Sequence, residues 1–294
     1  MALPNEEPYV FPEQLQRVRR DIRQAARTLT LQEVRYLVDL YYSVQAFRIS
    51  SGNQVRALDE GEEPDSLLTW SMDAFRIVED EVRKGLDIYS RYEPTGAGQW
   101  LRSIVGIGPV IAAGLLAHLD IERAPTAGHF WSFAGLNPTQ VWNKGEKRPW
   151  NASLKVLTWK AGESFVKVQS NKHDVYGQLY VERKIAEQTR NEAGELAEQA
   201  AKILTAKRIS HDTDAYKAYS TGKLPPAHIH ARAKRWAVKL FLAHLHTVLY
   251  FLRYESLPPL PYPVVHLGHA HVIDVPNPDL VPGLVEALAA RPRP

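Results

Sequence analysis

Residues 105–112, Val-Gly-Ile-Gly-Pro-Val-Ile-Ala, constrain the fold of this chain more than any other stretch. Two glycines bracket one isoleucine, a proline follows, and an apolar, small-residue run continues to Leu119. A regular strand accommodates neither the glycines nor the proline well. A helix can begin there, because the N–H that proline lacks would have no partner at the first helical position. Gly106 and Gly108 can take positive φ without a Cβ penalty. The segment therefore predicts a short helix over 98–104, a hydrophobe-Gly-hydrophobe-Gly turn with Ile107 turned inward, and a second helix from Pro109. Ala112, Ala113 and Gly114 would let that helix pack closely on the first. In such a helix-hairpin-helix, exposed turn amides add to the positive end of the helix dipole and suit one phosphate oxygen, whatever the base sequence. The alternative is a tight turn with no ligand. A dinucleotide-binding turn would need a preceding strand and a third glycine where Ile111 stands.

The rest of the chain reads as helix. Val34, Val38, Tyr41 and Val44 recur at helical spacing, with Thr30 and Glu33 placed as a capping box. A second long helix is expected from near Asp65 to Tyr92, which makes a helical hairpin suited to packing or self-association. Further helices are expected over 174–207 and 227–254. LPPLPYPVV (257–265) should be extended, HLGHAHVIDV allows a short strand, and a short helix precedes the end. The fold class is all-α: a long helical hairpin (1–93), a helix-hairpin-helix domain (94–256) and an extended Pro/His-rich segment (257–294).

Of the 294 residues 45% are hydrophobic and 23% charged, enough for an ordinary core. The chain has no cysteine, which excludes thiolate metal sites and a cysteine nucleophile. No apolar run approaches the roughly 20 residues of a membrane span, and the start lacks signal-peptide character, so a cytoplasmic protein is expected. Net charge is only +3, but it is segregated. Acids dominate 59–87; Lys144, Lys147, Arg148, Lys155, Lys160, Lys167 and Lys172 dominate 144–172; Lys223, Arg232, Lys234, Arg235 and Lys239 stand without an acid in 223–239. Such segregation suits a polyanion, although charge runs also form merely solvated faces.

From Val105 the chain resembles the C-terminal domain of the insertion-sequence-one-ten type transposases, the DEDD enzymes guided by a bridge RNA. The resemblance rests on Val105–Ala113, Asp120-Ile121, Pro125–Ala127, Phe133-Ala-Gly-Leu-Asn-Pro138 and Asn151-Ala-Ser-Leu154-Lys155, and more loosely on the basic helix 227–254. It implies DNA recombination, with the 31–92 hairpin akin to a coiled-coil linker. Two departures bear on chemistry. The family serine, five residues after the proline, is Asn143 here, and an amide cannot act as the nucleophile. Nor does any strand ending in aspartate suggest the family's N-terminal RNase-H-like domain. Ser153 is expected to serve a helix start.

The resulting expectation is a non-catalytic nucleic-acid-binding protein, with DNA rather than RNA as its partner, that self-associates through the hairpin and needs no cofactor. Its contacts would be Gly106, Ile107, Gly108, Lys144, Lys147, Arg148, Lys155, Lys160, Arg232, Lys234, Arg235 and Lys239. Arg232, Arg235 and Lys239 fall at spacings that share a helix face. Trp142 and Trp150 would anchor the basic loop or stack on bases. The alternatives are an active recombinase subunit using Ser153 or a partner nuclease, and an oligomeric scaffold without nucleic acid. The histidines His228, His230, His244, His246, His266, His269 and His271 carry enough donors for a metal, but their spacings favour structural roles.

Overall fold

The computed structural model describes residues 24–57, 66–259 and 273–291. Among these the chain is all-helical, as the sequence predicts. The helices are α1 (Leu31–Arg56), α2 (Ser66–Tyr92), α3 (Ala97–Ser103), α4 (Pro109–His118), α5 (Ala127–Phe133), α6 (Ala152–Val168), α7 (Val175–Glu192), α8 (Ala197–Ala206), α9 (Asp214–Ser220), α10 (Pro226–Tyr254) and α11 (Leu284–Ala290). They divide into two compact units. One holds the described residues up to Gly98 together with Gly108–His118; the other holds Gln99–Ile107 and the described residues from Leu119 onward. α4 groups with the helical hairpin, and the described C-terminal residues group with the second unit.

In the first unit, Thr30 caps α1 with the expected reciprocal box: its hydroxyl accepts the Glu33 N–H, and Glu33 accepts the Thr30 N–H at 2.7 Å. Gln45 donates to Glu79 at 2.9 Å, Phe47 stacks on Phe75, and a Cβ on Gly52 would touch Met72. As one number rises the other falls, so α1 and α2 run antiparallel. α4 is apolar on every side and packs against both of them. Its Ala112, Ala113 and Gly114 are buried, and the Ala117 carbonyl accepts from Arg35 Nε at 2.7 Å. The small residues read as a seat for the preceding helix thus lie in a helix whose partners are α1 and α2.

The second unit is built on α10, against which α5, α6 and α7 pack. Phe165 of α6, Tyr176 of α7 and Phe241 of α10 form one aromatic cluster with ring centroids 5.0–5.4 Å apart. Trp100 stacks on Phe241, and its Nε1 donates to the Pro276 carbonyl at 2.7 Å. The helix expected over 174–207 is two, α7 and α8. Gly194 ends α7 with φ +81°, and the Glu195 N–H closes back on the Arg190 carbonyl. The Pro/His-rich stretch falls mostly outside the described residues, and α11 is the short helix expected near the end.

Gly98 is the tightest point of the first unit. Its N–H donates to the Glu93 carboxylate at 2.8 Å, and an added Cβ would sit 1.7 Å from the Ser90 carbonyl oxygen. Neither neighbour is the free end of a flexible side chain. Gly98→Ala is expected to cost on the order of 3 kcal/mol in urea unfolding, while Gly145→Ala, in open space, costs far less.

Candidate nucleic-acid interface

The glycine turn closes on itself. Gly106 has φ +91°, and the Ile107 N–H bonds back to the Ile104 carbonyl at 3.0 Å. The Ile107 carbonyl accepts from Arg102 at 2.7 Å, and the Gly106 carbonyl accepts from Ser164 Oγ at 2.6 Å. Ile107 is inward at 3% exposure. Its side chain, N–H and carbonyl all have partners within the protein, so no free amide remains there for a phosphate. Gly106 is required twice, for its φ and because a Cβ would lie 3.3 Å from Phe165, Ser164 and Val168. Gly108 does not take positive φ, and a Cβ added there would meet no other atom.

The loop between α5 and α6 carries Lys144, Lys147 and Arg148, all exposed. It is braced internally: Trp142 Nε1 donates to the Glu146 carbonyl at 2.8 Å, and Gly145 turns the chain at φ +96°. The Asn143 amide donates to the Glu146 carboxylate at 3.2 Å, while the Arg148 guanidinium lies 5.0 Å over the Trp142 ring. No carboxylate pairs with Lys144, Lys147 or Arg148 among the described residues. Trp142 holds the loop together from its exposed side. Trp150 anchors it, packed where Gly135 (φ +67°) leaves room, with Lys155 Nζ 4.2 Å over its ring.

Asn151 caps α6 by accepting the Leu154 N–H at 2.9 Å, so the helix start expected of Ser153 belongs to Asn151. Lys155 is exposed and Lys160 half-buried, where burial and then the Lys167 charge push its ammonium pKa down. Sequence reasoning passed over Trp159, 56% exposed between these lysines on the same helix. The signal was local, a tryptophan flanked by lysines in KVLTWK.

The cations of α10 do not form one track. Arg232 is bonded to buried Glu187 at 2.9 Å and to Gln199. Lys234 is paired with Glu163, its side chain only 12% exposed. Lys239 points to α5, with Nζ 4.4 Å over the Trp131 ring. Arg235 is exposed and makes no ion pair among the described residues. The shared face read from the spacing is thus divided: α7 claims Arg232 and α5 claims Lys239. Helical spacing fixes direction along one helix but not which neighbours stand there.

Four histidines of α10 are bonded within the fold. His244 lies buried between the Tyr176 hydroxyl (2.8 Å) and the Ile273 carbonyl (3.0 Å), and His246 bonds to the Ala124 carbonyl at 2.7 Å. His228 and His230 bond to the hydroxyls of Tyr219 and Tyr180. His266, His269 and His271 lie outside the described residues. Among the described residues no three His, Asp or Glu gather as a metal site.

Burial pushes His244 down to about 4, so the folded protein holds it neutral. The unfolded chain takes up this proton below about 6.5, and the stabilisation from neutral burial is lost as pH falls toward 4. Unfolding free energy measured against pH should decline over that window by on the order of 3 kcal/mol from this group. His244→Gln, which stays uncharged, should flatten the decline.

No curated protein and no solved structure matches the chain. Residues 98–148 match the family described as the Transposase IS116/IS110/IS902 family, a span running from α3 through the glycine turn, α4 and α5 to the end of the basic loop. That stretch is similar to part of this transposase family, and the similarity supports a transposase-related role.

Proposed function

We propose that this chain is a nucleic-acid-binding relative of transposases whose polymer is DNA rather than RNA, and that it does not itself cut it. The observation that carries the reading is the loop at 142–148: three exposed cations, no carboxylate paired with any of them among the described residues, and one indole already under Arg148. Glu146, the acid in the middle, is turned to Asn143 instead. Unpaired cations of this kind attract phosphates without regard to base sequence. Lys155, Lys160, Arg235 and the exposed Trp159 extend the surface, and the face of the ring away from the Lys234 ammonium can stack on a base. Gly106 and Ile107 shape the turn, and the unhindered backbone of Gly108 is the part of it open to a strand. Arg232 and Lys234 serve the fold.

The non-catalytic half of the proposal rests on Asn143. It stands where the resembled transposases carry their serine, and its amide is engaged with Glu146. An amide forms no covalent link to a phosphodiester. Self-association through the hairpin is part of the same proposal, supported by Tyr36 and Phe47, which share one face of α1 and are 66% and 58% exposed.

Salt-dependent gel shifts with duplex DNA test the binding. Lys147→Glu/Arg148→Glu should weaken it and flatten the log–log salt slope by about 2, since each lost phosphate contact removes about 0.9. Unchanged binding by the folded double variant would remove the loop from the interface, and no binding by the parent would favour a scaffold without nucleic acid. Arg232→Gln should behave differently. Burial alone would raise the Glu187 carboxyl, and Arg232 with Arg183 holds it below its usual value. Removing Arg232 should cost stability on the order of 2 kcal/mol and leave the salt slope unchanged.

A further inference from the structure

An open cleft of about 390 Å³ lies between α5 and α10, and Thr126, His129, Trp131, Ser132, Asn137 and Lys239 are among its lining residues. Lys239 is held there from both ends. Trp131 Nε1 donates to its backbone carbonyl at 2.8 Å, and its ammonium lies 4.4 Å over the same indole. No carboxylate pairs with it among the described residues. An ammonium parked on a ring gains a fraction of what an anion would give it. Around it stand small hydroxyls. Asn137 Nδ2 donates to Ser132 Oγ at 3.1 Å, which leaves the Ser132 proton free to donate, and Thr126 Oγ1 shares a 2.9 Å hydrogen bond with His129 Nδ1. No acid lines the cleft.

We propose that this cleft binds one phosphate ester, with Lys239 as the cationic anchor and Ser132 as a neutral donor to a second oxygen. One ammonium and a converging hydroxyl suit a tetrahedral anion with several acceptor oxygens. The volume exceeds that of bare phosphate and leaves room for an attached sugar. The underside of the ammonium is covered by Trp131, which directs its remaining N–H groups into the cleft and makes the indole a support for Lys239. Burial lowers the Lys239 pKa, a penalty that a bound anion would relieve. The anion site stands on this geometry alone; its assignment to a terminal or backbone phosphate of a strand rests on the nucleic-acid reading above.

The test uses the whole chain labelled with ¹⁵N-lysine, following the ammonium resonances, with Lys239 identified by its loss in Lys239→Gln. Inorganic phosphate, thymidine 5′-monophosphate, and one oligonucleotide with or without a 5′-phosphate are added in turn. The proposal expects the Lys239 signal to shift saturably with phosphate and more tightly with the nucleotide, and its pKa to rise on binding. Lys239→Gln, with the parent's circular dichroism, should weaken nucleotide binding about tenfold or more, and Ser132→Ala should weaken it less. A shift with phosphate and nucleotide but no binding of either oligonucleotide keeps the anion site and removes the strand from it. Oligonucleotide binding that leaves Lys239 unmoved, and is equal in parent and Lys239→Gln, overturns the cleft while leaving the basic loop intact. A Lys239 signal indifferent to every additive overturns it as well.

Discussion

The contact of Phe165, Tyr176 and Phe241 is the interaction on which the second unit depends. Each ring comes from a different helix, and each is at most 1% exposed. Buried rings of this size contribute the largest apolar areas in a core, and edge-to-face pairing fixes their relative angles. Tyr176 must also satisfy its hydroxyl, which it does through His244, and His244 in turn meets the Ile273 carbonyl. One buried polar chain thus runs from α7 through α10 to the C-terminal segment. α6 is held at one end by Phe165, and the basic loop enters α6 at the other through the Asn151 cap. The position of the exposed cations therefore follows from the aromatic cluster by way of a rigid helix.

On that frame the positive charges divide into two populations. Arg232 and Lys234 are drawn into the fold by Glu187 and Glu163. Lys144, Lys147, Arg148, Arg235 and Lys239 have no such partner among the described residues. Tryptophans lie beneath two of these cations, Trp142 under Arg148 and Trp131 under Lys239, and Trp150 lies likewise under Lys155. An indole restrains a cation without neutralising it, so the charge remains available to an outside anion at little cost in side-chain entropy. Indoles also lie beside Lys234 and Arg183, which acids hold as well.

Much of the fold was legible because its signals are local. Thr30 with Glu33 marks the start of α1, Pro109 and Pro226 start α4 and α10, and apolar spacing gives the long helices their lengths. The break at Gly194 was missed because a single glycine in a charged helical run is weak evidence until its φ is known. Partners were not legible. The seat of α4 on α1 and α2, the pairing of Arg232 with an acid 45 residues away and of Lys234 with one 71 away, and the cleft at Lys239 all depend on which helices meet. The inward Ile107 was readable from the turn pattern, whereas the closure of its N–H on Ile104 was not, since that depends on how far α3 winds before it ends.

Residue-resolved lysine reactivity tests the division of charges most directly, with each ammonium labelled by a water-soluble acylating reagent in the presence and absence of saturating duplex DNA. The account predicts that Lys144 and Lys147 react readily alone and are protected by DNA, while Lys234, already paired with Glu163, reacts slowly in both states. Equal labelling of Lys144 and Lys147 with and without DNA, under conditions where the DNA is bound, would contradict it.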